Sequence, residues 1–275
     1  MPLLVRSQFM LQSLLFIFFL PSIYATELKP WYPRYLELQP KMDYLYQVYH
    51  SVATKHGHKN RNDHDHFLKL STIGALDRYS AEIEMTGAAT RHRNFGLADI
   101  RFTGRYQLSD DTLGDHASVT TGLTIEQVLR LARNDVSNFY HGGIQFEGHL
   151  AVGKETVCGK FWRTRIWGVG AIGAADIGSA WLRFNLGWEY NLWDLEQIGF
   201  YAYSRWGLGG KGLRLKHFRG YGPIQHQSID LLLECKHQFS FGGILGFGYG
   251  YRVYAANCPR YVNFFHANFC YPFGL

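Results

Sequence analysis

Hydrophobic and polar side chains alternate along most of this chain. In the segment 178–191, Leu182 and Phe184 fall on one face of an extended backbone. Arg183 and Asn185 fall on the other face. Successive side chains of a β-strand point to opposite faces of a sheet, so the alternation predicts strands with one apolar and one polar face. It defines twelve predicted strands, at 44–54, 66–75, 80–91, 97–108, 115–124, 141–153, 160–172, 178–191, 195–206, 224–237, 240–256 and 261–275.

The connections between these strands also alternate in length. Long connections follow the first, fifth and ninth strands, at 55–65, 125–140 and 207–223, whereas those after even-numbered strands are only about three to six residues long. Single-chain barrels of the bacterial outer membrane have an even number of strands, short periplasmic turns and long external loops. The spacing therefore predicts an all-β fold, an antiparallel up-and-down transmembrane β-barrel of about 12 strands.

The second long connection interrupts the alternation. Ile125, Val128, Leu129 and Ala132 recur there at helical spacing, which predicts a short helix. Such a helix either folds into the barrel as a constriction or caps the barrel mouth. The third long connection is rich in Gly, Lys and Arg and is predicted to be a mobile external loop.

The beginning of the chain predicts export. Arg6 precedes an apolar run at 14–20, and Ala25 follows it, which is the pattern of a secretory signal peptide over residues 1–25. A membrane anchor is the alternative, but the run is shorter than the roughly 20 residues that a spanning helix needs. The predicted organisation is the signal peptide, a short periplasmic segment at 26–43 and an outer-membrane barrel at 44–275.

The end of the chain carries large apolar side chains at alternate positions. These are Phe265, Phe269, Tyr271, Phe273 and Leu275. This ending resembles the terminal strand that the barrel-assembly machinery recognises in Gram-negative outer-membrane proteins, with Leu275 where a Phe is usual. From about Tyr44 onward the chain resembles an outer-membrane barrel of the porin or transporter type, and the resemblance is one of pattern.

The composition excludes a helical membrane protein, because no second long apolar segment follows residues 14–20. With 47% hydrophobic and 16% aromatic residues, it fits a barrel, which places aromatic residues at both membrane interfaces. The net charge of +6 suits an acidic solute or phosphorylated lipid headgroups. The expected partners are outer-membrane lipids and lipopolysaccharide, the assembly machinery and small solutes. Neither a nucleic acid nor a cofactor is expected.

The polar faces of the predicted strands place many charges inside the barrel. Opposite charges that pair across a narrow bore would block it, whereas arginines along one wall would form a positive path for anions. Twelve strands enclose a bore between the packed interior of eight and the open channel of sixteen. The predicted pore-lining residues are Glu82, Glu84, Arg101, Arg105, Glu147, Arg163, Arg165, Arg183, Glu189, Arg205, Asp230 and Arg252, and Glu234 belongs to the same face.

The predicted function is a narrow porin-like channel for small, in particular anionic, solutes. A second hypothesis is a non-conducting barrel with a structural or adhesive role at the cell surface. A third is a lipid hydrolase, which follows from a different group of residues.

That group is His226 and Ser228, which alternate with Asp230 on the tenth predicted strand. His-x-Ser resembles the arrangement in outer-membrane phospholipases and lipid A deacylases, where the imidazole takes the hydroxyl proton at a site that faces the outer leaflet. Here Ile229 and Asp230 follow the serine instead of the Asn-Gly of the phospholipases, and the register points His226 and Ser228 inward. No catalytic residue is therefore predicted.

The first long connection collects imidazoles and carboxylates, which are ligands that Zn²⁺ and Cu²⁺ accept. They are His56, His58, Asp63, His64, Asp65 and His66. Their spacing matches no closed tetrahedral motif, and polar external loops contain such residues for solubility. No metal site is predicted, and metal binding by this loop is the alternative.

The four cysteines all follow the predicted signal peptide, so disulfides are chemically allowed. The strand assignment puts Cys158 and Cys235 towards the periplasmic end, Cys258 in an external turn and Cys270 in the last strand. Four cysteines permit three full pairings, and the sequence selects none of them. Thiols or intermolecular disulfides are expected in preference to an internal framework.

Overall fold

The computed structural model describes residues 28–274, apart from positions 34, 56, 92, 160 and 194. The predicted signal peptide, His56 and Leu275 lie outside the described residues. The strands are β1 (Glu37–Thr54), β2 (Gly57–Leu76), β3 (Tyr79–Thr90), β4 (Arg93–Ser109), β5 (Ser118–Val128), β6 (Ile144–Cys158), β7 (Phe161–Ala175), β8 (Trp181–Leu192), β9 (Glu196–Gly207), β10 (Gln227–Gln238), β11 (Ile244–Ala256), β12 (Pro259–Arg260), β13 (Asn263–Cys270) and β14 (Phe273–Gly274). One short α-helix, α1 (Arg130–Arg133), follows β5.

These strands form one closed antiparallel sheet. Each of β1 to β11 pairs with its neighbour in sequence, and β12, β13 and β14 lie end to end along β1. The pairing runs from Ser51 opposite Arg260 to Leu38 opposite Phe273. The three short segments therefore occupy one strand position, and the barrel has twelve. The prediction of a twelve-strand up-and-down barrel is confirmed.

The barrel has two distinct ends. We call the end at which β1 begins and β14 ends the terminal end, and the opposite end the loop end. Antiparallel strands of even number bring both chain ends to the same side. The connections 110–117 and 239–243 lie at the terminal end, and the longer connections 129–143 and 208–226 lie at the loop end. β1 begins at Glu37, so part of the segment predicted at 26–43 belongs to the barrel wall.

The predicted first long loop at 55–65 is wrong, because β2 begins at Gly57 and forms a tight hairpin with β1. Along β2, Asp63 and Asp65 point inward and are buried, whereas His64 points outward and is exposed. A strand that extends past the apolar belt has polar residues on both faces, so it lacks the hydrophobic alternation that identifies the other strands.

The helix predicted from residues 125–132 is mostly strand. Ile125 and Glu126 lie in β5, with Ile125 outward and Glu126 inward, and only the four residues of α1 are helical. Pairing of β5 with β4 and β6 overrides the local spacing, since each paired residue satisfies its backbone hydrogen bonds across the sheet. Among the described residues, no helix has the length and hydropathy that crossing a membrane requires.

The outer face of the barrel is apolar and the inner face is polar. On β8, Phe184 and Leu186 are exposed on the outside, whereas Arg183 and Asn185 are buried inside. Ile166 and Val169 on β7, which differ by an odd number of positions, fall on opposite faces in the same way. The outer surface has the chemistry of a lipid-facing wall.

The cost of placing an arginine on the outer face should depend on its depth in the bilayer. Leu186 is 63% exposed near the middle of β8. Leu186→Arg should lower the free energy of unfolding by roughly 2–4 kcal/mol, because an outward arginine at mid-bilayer depth cannot reach water. Urea unfolding of the protein in lipid vesicles measures the loss. The control is Leu195→Arg, in the turn between β8 and β9 at the terminal end. It should lower the free energy of unfolding by no more than roughly 1 kcal/mol. Equal losses for the two variants would contradict the outward assignment of Leu186.

Candidate functional site

The interior of the barrel is occupied by charged side chains and by two segments of the chain that do not belong to the wall. We call residues 28–33, which precede β1, the N-terminal strap. We call residues 135–141, which follow α1, the inner loop. The strap lies in the half of the interior near the terminal end, and the inner loop enters from the loop end.

The side chains of the strap reach across the bore to the far wall. Lys29 Nζ lies 2.6 Å from Glu189 Oε1 on β8. Trp31 Nε1 donates to Asp111 Oδ1 at 2.9 Å, in the connection between β4 and β5. These two contacts join the strap to two separate parts of the barrel wall, β8 and the connection between β4 and β5. The strap therefore crosses the interior and does not merely follow β1.

The backbone of the strap is also bound to the wall. Arg105 donates to the carbonyl of Lys29 at 3.2 Å, and Thr120 donates to the carbonyl of Pro30 at 2.8 Å. The strap passes so close to β6 that a Cβ atom at Gly153 would lie 2.7 Å from Pro30 Cγ. Glycine at this position leaves the space that the strap occupies.

Asp111 is held as a carboxylate for this contact. Partial burial raises its pKa, but hydrogen bonds from the Ser118 hydroxyl, the Glu155 backbone N–H and Trp31 outweigh that effect and leave the pKa below its usual value. Hydrogen bonds to a carboxylate favour its charged form. The anchor of Trp31 therefore stays negatively charged at neutral pH.

The inner loop is fixed to the first strands of the barrel. The hydroxyl groups of Tyr49 and Ser137 are 2.9 Å apart, and Tyr49 also donates to Asp63 Oδ2 at 2.9 Å. The connection 208–226 holds the loop from the other side, since Tyr221 donates to the carbonyl of Val136 at 2.7 Å. Tyr221 is fully buried, so the connection predicted to be an external loop lies partly inside.

The inner loop extends to the opposite wall. The ring of Phe139 lies 5.1 Å from the guanidinium of Arg205 and 4.9 Å from that of Arg252. His141 stacks on Trp181 with ring centroids 3.9 Å apart. Of the two outcomes considered for this region, α1 stays at the mouth, and the residues that follow it constrict the bore.

The charges on β2 to β5 form one network. Arg101 lies between Glu84, at 3.1 Å, and Glu126, at 2.8 Å. Lys69 approaches Glu84 at 3.3 Å, and the inner-loop residue Tyr140 donates to Asp99. This side of the interior therefore carries more carboxylates than cations.

The charges on β8 to β11 form the opposite side. Arg183 pairs with Glu147 of β6 at 2.5 Å. Arg252 pairs with both carboxylate oxygens of Asp230, at 2.6 and 2.9 Å, in a bidentate contact. Arg205 lies on the same side between these two pairs. The wall of β8 to β11 is therefore rich in arginine, and most of that charge is already neutralised.

The structure divides the predicted pore-lining residues into two groups and one exception. The first group faces the middle of the bore: Glu84, Arg101, Glu147, Arg183, Arg205, Asp230 and Arg252. The second lies in the half near the terminal end, at the level of the strap: Glu82, Arg105, Arg165, Glu189 and Glu234. The exception is Arg163, which is exposed and lies 4.5 Å from the centroid of the outward Tyr190 ring. Arg163 is the extra residue of a bulge in the pairing of β6 with β7, between Trp162 and Thr164.

Several residues of the interior are absent from the set of pore-lining residues predicted from the sequence. Asp99 follows the same alternation as Arg101 and could have been included on that ground. Glu126 was missed because its segment was assigned to a helix, and Lys69 because β2 has weak alternation. Phe139 and Tyr140 carry no pattern that points into a barrel.

The strap and the inner loop leave a cavity of about 120 Å³ in the middle of the bore. Leu28 of the strap, Phe139 of the inner loop and both charged sides line it. Sites for small organic ligands usually have roughly 300–1,000 Å³. The bore is therefore narrow in this conformation, and solutes beyond the smallest require displacement of the strap or the inner loop.

The group proposed for hydrolysis is not assembled as a catalytic triad. His226 and Ser228 are both buried inside, as the register predicted. Neither His226 Nε2 nor Ser228 Oγ has a hydrogen-bond partner within the described part of the chain, and Asp230 is engaged by Arg252. The imidazole thus makes no contact that would remove the serine proton.

The histidine-rich segment is divided by the strand alternation. Asp63 and Asp65 face the interior, whereas His58, His64 and His66 face outward. Over the described residues, no group of three or more His, Cys, Asp or Glu side chains is placed to hold a metal ion.

The four cysteines, all described, are thiols and not halves of disulfides. Cys158 and Cys235 are exposed near the terminal end, and Cys258 is buried at the loop end with its Sγ 3.3 Å from the carbonyl of Gln227. Cys270 ends β13. These placements agree with the sequence assignment, and intermolecular disulfides remain a prediction.

No protein-family model matches the sequence, and no curated protein matches it either. Solved structures share the fold. The COG4313 outer membrane channel from Pseudomonas putida F1 superposes with a TM-score of 0.64 at 11% identity, over 92% of this chain and 100% of that one. The NanC porin gives 0.56 at 9% identity over 84% and 98%, and the KdgM porin gives 0.50 at 10% identity over 85% and 99%. The chain has the barrel fold of outer-membrane channels and porins.

Proposed function

We propose that the protein is an outer-membrane channel that passes small solutes through a narrow, charged bore. The observation that carries the proposal is the cavity between the carboxylate-rich side of β3 to β5 and the arginine-rich side of β8 to β11, inside a wall with an apolar outer face. Opposed charges in a poorly hydrated constriction act strongly on passing ions, because little water screens them.

The proposal includes the location and orientation of the barrel. The terminal end faces the periplasm and the loop end faces outward, which follows from the even number of strands and the longer connections at the loop end. Cleavage after Ala25 and recognition of the last strand by the assembly machinery belong to the same proposal. The lipid hydrolase hypothesis is set aside, because Ser228 and His226 lack the mutual contact that catalysis by this pair requires.

Single-channel recording in planar bilayers tests this function. The purified protein should produce discrete current steps, and their conductance should be small because the strap and the inner loop fill most of the bore. The heat-denatured protein and the lipid alone are the controls. Absence of steps above the lipid background would reject the channel and favour a structural or adhesive surface barrel.

A further inference from the structure

Arg205 has an unusual environment for a charge inside a barrel. It lies directly opposite Arg183 in the pairing of β8 with β9, and like charges at directly opposed positions repel each other. Arg183 is neutralised by Glu147 at 2.5 Å. Arg205, in contrast, has no hydrogen bond and no ion pair with any described residue, and its polar surroundings offer no free carboxylate.

The neighbours of Arg205 explain why it has no partner. Asp230 is the nearest acid on the adjoining strand, but both of its oxygens are bound by Arg252, at 2.6 and 2.9 Å. Ser228, which is paired with Arg205 across β9 and β10, is buried, and its hydroxyl group has no partner. The wall thus presents one guanidinium for which it provides no acceptor.

Other unpartnered polar atoms line the same cavity. Asn138 Nδ2 and His141 Nε2 are buried in the inner loop without a hydrogen-bond partner, and both residues line the central cavity together with Arg205. The guanidinium of Arg205 lies 5.1 Å from the centroid of the Phe139 ring, which offers an apolar surface beside it. Asn138 Nδ2 is a donor, like the guanidinium of Arg205, whereas His141 Nε2 is an acceptor because His141 Nδ1 donates to Gln145 Oε1. An acceptor that is not part of the chain would therefore complete the hydrogen bonding of Arg205 and Asn138.

We propose that Arg205 binds the carboxylate of a small organic acid in the middle of the bore. A guanidinium is a planar fork of donors that matches the two oxygens of a carboxylate, and a charge taken from water without a counterion is costly. Asn138 donates to the same anion, and Phe139 contacts its short apolar part. The inference rests on the proposed channel function, for which it names the class of solute.

Binding is measured on the purified full-length protein in detergent micelles, without reference to conduction. The probe is sodium propionate, compared with sodium chloride at the same ionic strength and with neutral propionamide. Fluorescence of the protein reports occupancy, because Trp181 stacks on His141 at the cavity wall. Propionate should produce a saturable change, whereas chloride and propionamide should produce none at the same concentrations.

The variant Arg205→Met should weaken propionate binding by roughly tenfold or more, which is the usual effect of removing a hydrogen bond to a charged group. The control Arg219→Met removes the same charge from an exposed position in the connection 208–226 and should bind as the natural protein does. Arg205→Met should fold at least as stably as the natural protein, because it relieves the repulsion from Arg183.

The outcomes separate this inference from the proposed function. Equal responses to chloride and propionate, or unchanged binding by Arg205→Met, would overturn the carboxylate site. If the variant does not fold, the comparison of propionate, chloride and propionamide on the natural protein still decides whether the bore binds a carboxylate selectively. Current steps in bilayers without propionate binding would leave the channel standing and reject the site. Propionate binding without current steps would support the carboxylate site and reject the channel.

Discussion

Replacing residues 28–33 with a Gly-Ser segment of the same length should raise the single-channel conductance several-fold. The strap crosses the interior from β1 to Glu189 on β8, and Leu28 fills one side of the central cavity. A Gly-Ser segment lacks the Lys29 and Trp31 contacts and behaves as a flexible coil, so it does not remain across the bore. Planar bilayer recording of both proteins under the same salt conditions measures the change.

A smaller change provides the control for this experiment. Trp31→Phe keeps the aromatic packing and loses the hydrogen bond to Asp111, so its conductance should rise less than that of the Gly-Ser protein. Both changes to the strap should leave the barrel wall intact, so the unfolding midpoint of each variant in lipid vesicles should equal that of the natural protein. Unchanged conductance in the Gly-Ser protein would show that the inner loop alone forms the barrier.

The barrel wall could be predicted from the sequence because its signal is local. Alternation with a period of two requires only that neighbouring residues face lipid and interior in turn, as Phe184 and Arg183 do. The signal fails where both faces are polar. Beyond the apolar belt, β2 begins at Gly57 without an apolar face, so residues 57–65 were taken for a loop, whereas the end of β1 at Thr54 agrees with the first predicted strand.

The contents of the bore could not be predicted in the same way, because they depend on contacts between distant parts of the chain. Lys29 and Glu189 are 160 residues apart, and Tyr49 and Ser137 are 88 residues apart. No periodic pattern marks a segment that enters a barrel, since its partners are fixed only when the sheet closes. The strap was expected to be a periplasmic segment for this reason.

The structure places the predicted charged residues other than Arg163 in the interior, but the sequence does not show which of them pair. Alternation places Arg183 inside, yet its partner Glu147 lies on β6, two strands away, and not on the adjacent β7. The partner depends on the barrel's curvature and on side-chain length. Of the two arrangements considered from the sequence, the structure shows paired charges at Arg101, Arg183 and Arg252.

The pairing predicts that charge removal in the interior changes stability. Arg252→Met should lower the free energy of unfolding by about 3–5 kcal/mol, because it leaves Asp230 charged and buried without its bidentate partner. The side chains of Arg252 and Asp230 are only 4% and 6% exposed. The double variant with Asp230→Asn should recover most of the loss. Urea unfolding in lipid vesicles, for both single variants and the double, gives the coupling energy.

An exposed pair in the same barrel serves as the matched control. His237 and Glu196 are 42% and 46% exposed at the terminal end, so Glu196→Gln should cost less than about 1 kcal/mol. A small loss for Arg252→Met as well, with no coupling to Asp230→Asn, would mean that water reaches the interior pair and screens it. The bore would then be wider and better hydrated than the cavity of about 120 Å³, and the strap and the inner loop would not form its main barrier.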